Sequence, residues 1–209
     1  MCQLFFYDII EKKHTENEMY HFYAYLSRMK HIERWGLMHS VQKENIQEHS
    51  LSVTLLAHAL ALIKEEYFGE TLDTEKVVLY ALYHETSEVL TGDLPTPIKY
   101  FNADINASYK SLENVANEKL LTMLPDSLRA RYSPLLRPDA ESAEYRVVKL
   151  ADKLDAYLKC VEELKVGNRE FKKAKESIGK ELKAAKDNAV DYFFENFSKS
   201  YELTLDEME

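Results

Sequence analysis

An all-α fold follows from three features of the chain. Only five Gly and five Pro occur in 209 residues, mostly between segments rather than inside them. Helix formers such as Leu, Ala, Glu and Lys fill much of the remainder. Apolar residues recur three and four positions apart, the period of a helix with one buried side. A chain of this length can bury one core, and nothing in its composition requires a second domain. Residues 1–18 are therefore expected to form an extension and residues 19–209 a single helical domain.

The segments follow in order. Residues 1–17 hold the apolar patch Leu4-Phe5-Phe6-Tyr7 and then turn polar around Glu11 to Glu16. Met19 to Met29 carries apolar residues at helical spacing and predicts the first core helix, ending before Arg34-Trp35-Gly36. A loop follows to about Gln47. The next helix is expected from near Glu48 to Tyr67, with Leu51, Leu55, Ala59, Leu62 and Ile63 on one face and Gly69 as the stop. Asp73-Thr74-Glu75 opens a helix that should run to about Leu90, where Gly92 to Pro97 breaks it. Helices near 104–124 and 139–168 come next, separated by Pro125, Pro134 and Pro138, and the last covers roughly 169–196. The lysines from Lys172 to Lys186 alternate with Glu170, Glu176 and Glu181, a pattern that reads as a solvated helix face.

Charge and cysteine usage narrow the functional classes. A formal net charge of −9 argues against a nucleic-acid polymer as partner, since phosphate-backbone binding calls for a basic surface. Small anions held by one or two Arg or Lys remain compatible with it. Two cysteines, Cys2 and Cys160, make no disulfide framework. With no secretory signal pattern and no apolar run judged long enough to span a bilayer, a soluble cytoplasmic protein without membrane partners is expected.

The chemistry concentrates in His84-Glu85, near the end of the apolar run Val77 to Tyr83, with Glu88 one turn on and Gly92-Asp93-Leu94-Pro95-Thr96-Pro97 beyond it. An imidazole and a carboxylate on adjacent residues suit a divalent cation, and a charge on an otherwise apolar helix is costly to bury without a partner. His49 and Asp152, on two other predicted helices, complete four candidate ligands on three helices. From the residues alone, Asp152 can equally be a ligand or a salt-bridged core acid, and Trp35 can be simple core filling. His14, His21, His31, His39 and His58 read as packing or surface residues. Mixed nitrogen and oxygen ligation suits Mn, Co, Fe, Zn or Mg, which would act as a Lewis acid on a phosphoryl oxygen and acidify water. That combination points to hydrolysis of a phosphate ester. Glu88 is placed to exchange the proton, and the forked Arg34 guanidinium matches phosphate oxygens.

From about residue 19 onward the motifs resemble the HD-domain phosphohydrolases, and within them the bacterial 5′-deoxynucleotidases of the YfbR type. The resemblance rests on Tyr25-Leu26-Ser27-Arg28, Glu33-Arg34-Trp35, Glu44 to Leu51, Tyr83 to Asn102, and Ala151-Asp152 followed by Ala156 to Cys160. It implies an HD-domain helical bundle, usually a homodimer, that uses a divalent metal to remove the 5′-phosphate from deoxyribonucleoside monophosphates. Carried onto this chain, it implies His49, His84, Glu85 and Asp152 as metal ligands, with His49, Glu85 and Asp152 also at the substrate. It implies Arg34 as the group that orients the phosphate and Glu88 as the one that handles the proton. Trp35 together with Asp93, Leu94, Pro95 and Thr96 would contact the sugar, Trp35 excluding a 2′-hydroxyl. One departure stands out: the family's second ligand is Asp, and this chain has Glu85. The alternatives are a deoxynucleoside triphosphate hydrolase, for which Lys99 or Lys43 would have to supply further positive charge, and a nucleotide-binding protein that Glu85 has left weakly active or inactive.

Overall fold

The chain's longest helices start where a short polar side chain takes up otherwise free N–H groups. In the computed structural model, which describes residues 19–99 and 101–209, Asn45 accepts from Gln47 and Glu48 while Glu48 bonds back to the Asn45 N–H. The helix so opened, Ile46–Phe68, ends at Gly69 in the left-handed conformation, with φ of 66°. Asp73, Asn102 and Ser142 cap Thr74–Tyr83, Ala103–Leu121 and Ala143–Lys165 in the same manner. In chain order the helices are α1 (Phe22–Leu26), α2 (Ile46–Phe68), α3 (Thr74–Tyr83), α4 (Glu88–Thr91), α5 (Thr96–Lys99), α6 (Ala103–Leu121), α7 (Asp126–Leu136), α8 (Ala143–Lys165), α9 (Lys172–Ala184) and α10 (Asn188–Asn196). Among the described residues the only β pairing is an isolated antiparallel bridge between Glu33 and Asn45.

Two apolar clusters organise the helices. The larger joins α2, α3, α8, α9 and α10 through Val53, Leu56, Leu60, Val77, Leu154 and Val190, among others. The smaller, beneath α1, α6 and α7, is built on Phe22, Leu120, Leu121, Leu124 and Leu136. Tyr83, Val89 and Leu90 lean on the smaller cluster, although α3 itself packs in the larger one. The segment between α3 and α4 therefore bridges the two cores, and the residues it carries are fixed from both sides.

The all-α expectation holds, and several boundaries move. The helix expected over 73–90 stops at Tyr83, and residues 84–87 form turns before α4 resumes at Glu88. The prolines read as separators flank an additional helix, α7, which opens after Pro125 and holds Pro134 inside it. The last expected helix is divided at Lys186, whose φ of 50° ends α9 before Asp187 caps α10. The expected first helix is one short α-helix continued as a 3-10 turn over Ser27–His31. The apolar face expected for α2 is borne out only at Ile63: Leu51, Leu55 and Leu62 are 59%, 64% and 41% exposed, and the core takes Val53, Leu56, Ala57 and Leu60 in their place.

By length and composition alone α2 is apolar enough to cross a membrane, contrary to the sequence expectation. It nonetheless packs against α3, α8 and α10 and buries His49, Ser50 and Lys64. The extension expected over residues 1–18, with its Leu4 to Tyr7 patch and His14, lies outside the described residues.

Leu154 sits fully buried at the centre of the larger cluster. Its replacement by Ala removes buried volume that the surrounding helices cannot close, and should cost about 2–5 kcal/mol. Urea unfolding followed by circular dichroism measures it. A loss below ~1 kcal/mol would show that the cluster rearranges around the gap.

Candidate metal centre

Each of the four expected ligands is delivered by a different structural cause. His49 lies one turn inside α2, on the side that faces α8, and is 0% exposed. His84 caps the C-terminal end of α3, and Glu85 follows in the turn. Asp152 comes from the middle of α8, one turn from buried Val148 and next to buried Ala151. One donor atom from each of the four lies within 4.8 Å of the others. The two Nε2 atoms of His49 and His84 are 3.3 Å apart. Asp152 Oδ1 stands 3.2 Å from His49 Nε2, and Glu85 Oε1 stands 3.1 Å from His84 Nε2 and 3.8 Å from His49 Nε2.

The far side of each ring decides how well this set fits a cation. His84 Nδ1 is 2.6 Å from the Ala81 carbonyl, which can only accept, so Nδ1 carries the proton and Nε2 offers its lone pair inward. His49 Nδ1 lies 2.6 Å from Asp155 Oδ2, which only accepts, and 2.7 Å from Arg34 Nη1, which only donates, so these two neighbours pull its ring toward opposite tautomers. The two Nε2 atoms face one another across 3.3 Å, a contact that a shared proton or a cation between them satisfies. Without the metal a proton serves. Burial and the Arg34 charge oppose protonation of His49, but bonds to Asp152, Asp155 and Glu85 outweigh them and hold its pKa well above the usual imidazole value. Burial likewise works against the Glu85 and Asp152 carboxylates; neighbouring His84 and the bond to His49 overcome it for Glu85, and the bond to His49 with the nearby Lys149 ammonium for Asp152, so both lie well below the usual range. Two imidazole nitrogens and two ionised carboxylates, held inward, form a donor set fit for a divalent metal.

Glu88 behaves in the opposite way. It is 5% exposed, and burial, then the neighbouring Glu85 and Asp93 carboxylates, push its pKa up to about 10 despite Lys99. The helix ends at Tyr83, so Glu88 does not share one continuous helix with His84 and Glu85, contrary to what the sequence suggested. A turn hydrogen bond of 3.0 Å from the Glu88 N–H to the Glu85 carbonyl nevertheless brings it to the cluster. Asp93, also pushed up by burial, follows Gly92, whose φ of 72° turns the chain after α4. Half-buried Leu94 and Pro95 lead from there to exposed Thr96, the first residue of α5.

Arg34 and Trp35 stand on the other rim. Their loop is pinched by bonds from the Arg34 N–H to the Glu44 carbonyl (2.9 Å) and from the Ile46 N–H to the Ile32 carbonyl (3.0 Å). Arg34 Nη1 donates to Glu44 Oε2 at 2.9 Å and lies 2.7 Å from His49 Nδ1 and 3.7 Å from Asp155 Oδ2. Trp35 donates to the same Glu44 oxygen at 3.0 Å and packs its indole 5.2 Å from the Phe171 ring.

Sequence reasoning passed over Glu44, Asp155 and Lys149, the last of which lies 3.7 Å from Asp152 Oδ2. Asp155 had a legible signal, since it falls one turn after Asp152 on the same helix. Glu44 had none, because a loop acid next to a helix cap carries no periodicity. Of the two lysines considered for extra phosphates, Lys43 is exposed and paired with Glu33. Lys99 bonds to Glu113 at 2.9 Å and sits over the Tyr109 ring. Of the histidines read as packing or surface residues, His21, His31, His39 and His58 are exposed.

Comparisons with known proteins give the family and the fold. A family model described as 5′-deoxynucleotidase YfbR-like matches residues 21–201. The chain is 52% identical to a 5′-deoxynucleotidase of Erwinia tasmaniensis over 90% of its own length and 96% of that protein's, and 52% identical to one of Vibrio cholerae, covering 90% and 97%. Among solved structures, it resembles an HD-domain phosphohydrolase from Listeria innocua with a TM-score of 0.72, at 23% identity and covering 86% and 87% of the two chains. It also resembles the cyanophage S-2L HD phosphohydrolase, solved with dA and one catalytic Zn2+ ion, with a TM-score of 0.61, at 20% identity and covering 89% and 98%. These last two likenesses establish the fold.

The charge state of Glu88 predicts a stability effect. An unfolded glutamate releases its proton near 4.5, whereas folded Glu88 holds it to about 10, so folding becomes less favourable as pH rises between those values. After removal of metal by a chelator, Glu88→Gln should raise the melting temperature, and by more at pH 8 than at pH 5. An equal shift at both pH values would mean that Glu88 ionises normally.

Proposed function

We infer the activity from one premise: the chain belongs to the YfbR-like 5′-deoxynucleotidase family, and it is a phosphoric monoester hydrolase that removes phosphate from deoxyribonucleoside 5′-monophosphates. The observation that carries the reading is that the four-donor cluster, a protonated Glu88 and the Arg34 guanidinium all converge within the segment that the family model matches. When bound, the metal supplies positive charge at the phosphoryl oxygens and makes water more acidic.

The residues divide the remaining work. His49, His84, Glu85 and Asp152 hold the ion, and His49, Glu85 and Asp152 also border the phosphate. Arg34 keeps its charge in the buried rim, because Glu44, Asp152, Glu85 and Asp155 outweigh the cost of burial, and turns its free N–H groups to the phosphate. Glu88, protonated through the neutral range, gives its proton to the 5′-oxygen of the departing deoxynucleoside. Trp35 closes the space a 2′-hydroxyl would need, opposite Asp93, Leu94, Pro95 and Thr96. Two imidazoles in the donor set favour Mn, Co or Zn over Mg.

The geometry weighs against both alternatives. A triphosphate hydrolase needs cations for the outer phosphates, yet Lys43 points to Glu33 and Lys99 is engaged by Glu113. An inactive nucleotide-binding protein would follow from a Glu85 that misses the cluster, whereas its carboxylate comes within 3.1 Å of His84 Nε2. The same proposal includes a homodimer and a cytoplasmic location. The exposed leucines Leu51, Leu55 and Leu62, spaced along one side of α2, support a second copy as the covering surface. Buried, unpaired Cys160 suits a reducing compartment.

Phosphate release from a panel of deoxy- and ribomononucleotides, run with Mn, Co, Zn and Mg, tests the reading. Deoxymononucleotides should be turned over faster by about a hundredfold, the limit for a hydrophobic wall facing a hydroxyl. Equal rates on both sugars would remove the role given to Trp35, and release only from triphosphates would replace the reaction. Glu85→Asp probes the departure from the family: the shorter arm should weaken metal binding, because Glu85 already reaches the imidazoles and the pocket around it is built to that length. Isothermal titration with Mn reads the outcome, and affinity unchanged from the parent protein would remove Glu85 from the ligand set.

A further inference from the structure

Trp35 is the one tryptophan in the chain, and it occupies a backbone conformation that its side chain disfavours. Its φ is 62°, in the left-handed region, which a bulky residue seldom occupies unless its surroundings hold it there. Three contacts do so. The ring packs on fully buried Phe171 at 5.2 Å, the Arg34 guanidinium lies 5.9 Å from the indole centroid, and Nε1 donates to Glu44 Oε2 at 3.0 Å. The last contact is the directional one. Phe171 and Arg34 limit where the ring can lie, but a hydrogen bond from the indole edge fixes its rotation about the side-chain axis.

The same carboxylate oxygen also receives Arg34 Nη1 at 2.9 Å. Glu44 is itself held in place: its backbone carbonyl accepts the Arg34 N–H, and its neighbour Asn45 pairs with Glu33 and caps α2. Its side chain is 14% exposed, beside an Arg34 side chain at 15%, so the pair is largely shielded from competing water. Arg34 has a second acid in Asp155 at 3.7 Å, whereas the Trp35 indole N–H donates to Glu44.

We propose that Glu44 is a positioning residue that sets sugar selectivity, by orienting the Trp35 indole while it aligns the Arg34 guanidinium. One oxygen thus links the group that recognises phosphate to the wall that reads the sugar. This inference rests on the roles given above to Trp35 and Arg34. Glu44 touches neither substrate nor metal in this account and acts only through its two neighbours.

The test compares kcat and KM for a deoxymononucleotide and its ribo counterpart in the parent enzyme, Trp35→Ala, Glu44→Ala, Glu44→Gln and the double variant Trp35→Ala/Glu44→Ala. Loss of the charge-assisted bond should lower the deoxy-to-ribo ratio of kcat/KM by about tenfold in Glu44→Ala. Glu44→Gln keeps an acceptor oxygen and should retain most of the ratio while losing rate on both sugars. The double variant should show the ratio of Trp35→Ala and no further loss, because both changes remove one interaction. Since Trp35 is the sole tryptophan, its fluorescence gives a reading that needs no turnover. Acrylamide quenching should increase in Glu44→Ala and stay near the parent value in Glu44→Gln, with both variants showing the helical circular dichroism of the parent.

The outcomes separate the two claims. A ratio that collapses in Trp35→Ala but is unchanged in Glu44→Ala, with unchanged quenching, overturns the inference and leaves the sugar-wall reading intact. A ratio unchanged in Trp35→Ala overturns the sugar-wall reading itself. Should Glu44→Ala fail to fold, Glu44→Met, which fills the space but offers no oxygen acceptor, decides instead: a deoxy-to-ribo ratio and a quenching response unchanged from the parent would overturn the inference.

Discussion

Concentrated buried charge is the constraint on which the rest of this structure depends. His49, Glu85, Glu88 and Asp152 meet where water is largely excluded, with Arg34 and Asp155 immediately behind His49. Isolated charges in such a place are expensive, and here each is answered by another. The imidazoles keep two carboxylates ionised, those carboxylates keep His49 protonated when no metal is present, and Glu88 escapes the excess of negative charge by holding its proton. Removing one charge changes the protonation of the others, which is why the acid proposed in Glu88 and the proposed ligand cluster cannot be considered apart.

The fold holds this arrangement by bringing rigid elements to it from independent directions. α2 and α8 pack directly on each other and present His49 and Asp152 from fully formed helices. His84 and Glu85 come from the point where α3 ends, and that ending lets the chain cross from the larger apolar cluster to the smaller one. A continuous helix over 73–90 would carry Glu85 and Glu88 away along its own axis. The turns at residues 84–87 instead fold Glu88 back onto the cluster through its backbone bond to Glu85. Site and core thus share one feature, the interruption after Tyr83.

His84 and Glu85 were legible because burying that pair on an apolar segment makes sense only with partners, whereas the residues left Asp152 open between ligand and salt-bridged acid until the family resemblance named it; the structure brings donor atoms of these three and His49 within 4.8 Å of one another. The helices themselves were legible from period and caps, as Asn45, Asp73 and Gly69 illustrate. What failed has a common physical origin in tertiary packing. Leu51 and Leu55 are as apolar as the residues that α2 buries, so composition could not tell which side faces α3 and α8. The prolines around α7 marked boundaries correctly at Pro125 but not at Pro134, which the helix accommodates. Asp155 could have been found from its place one turn after Asp152, whereas Glu44 was unreadable as a support, because its loop carries no periodicity to mark it and its partners Arg34 and Trp35 lie 10 and 9 positions away across a turn.

His49 offers two faces, and two donor groups compete for it. Nε2 looks toward His84, Glu85 and Asp152, while Nδ1 looks toward Glu44 and Asp155, which with His49 also form a compact set of possible ligands. The account places the metal on the Nε2 side, since Arg34 already occupies the other with its positive charge. Diffraction from Mn-loaded crystals at the anomalous edge of the metal decides this directly. The account predicts one peak bonded to Nε2 of both His49 and His84 and to the carboxylates of Glu85 and Asp152. A peak on the Nδ1 side of His49, among Glu44 and Asp155, would contradict it.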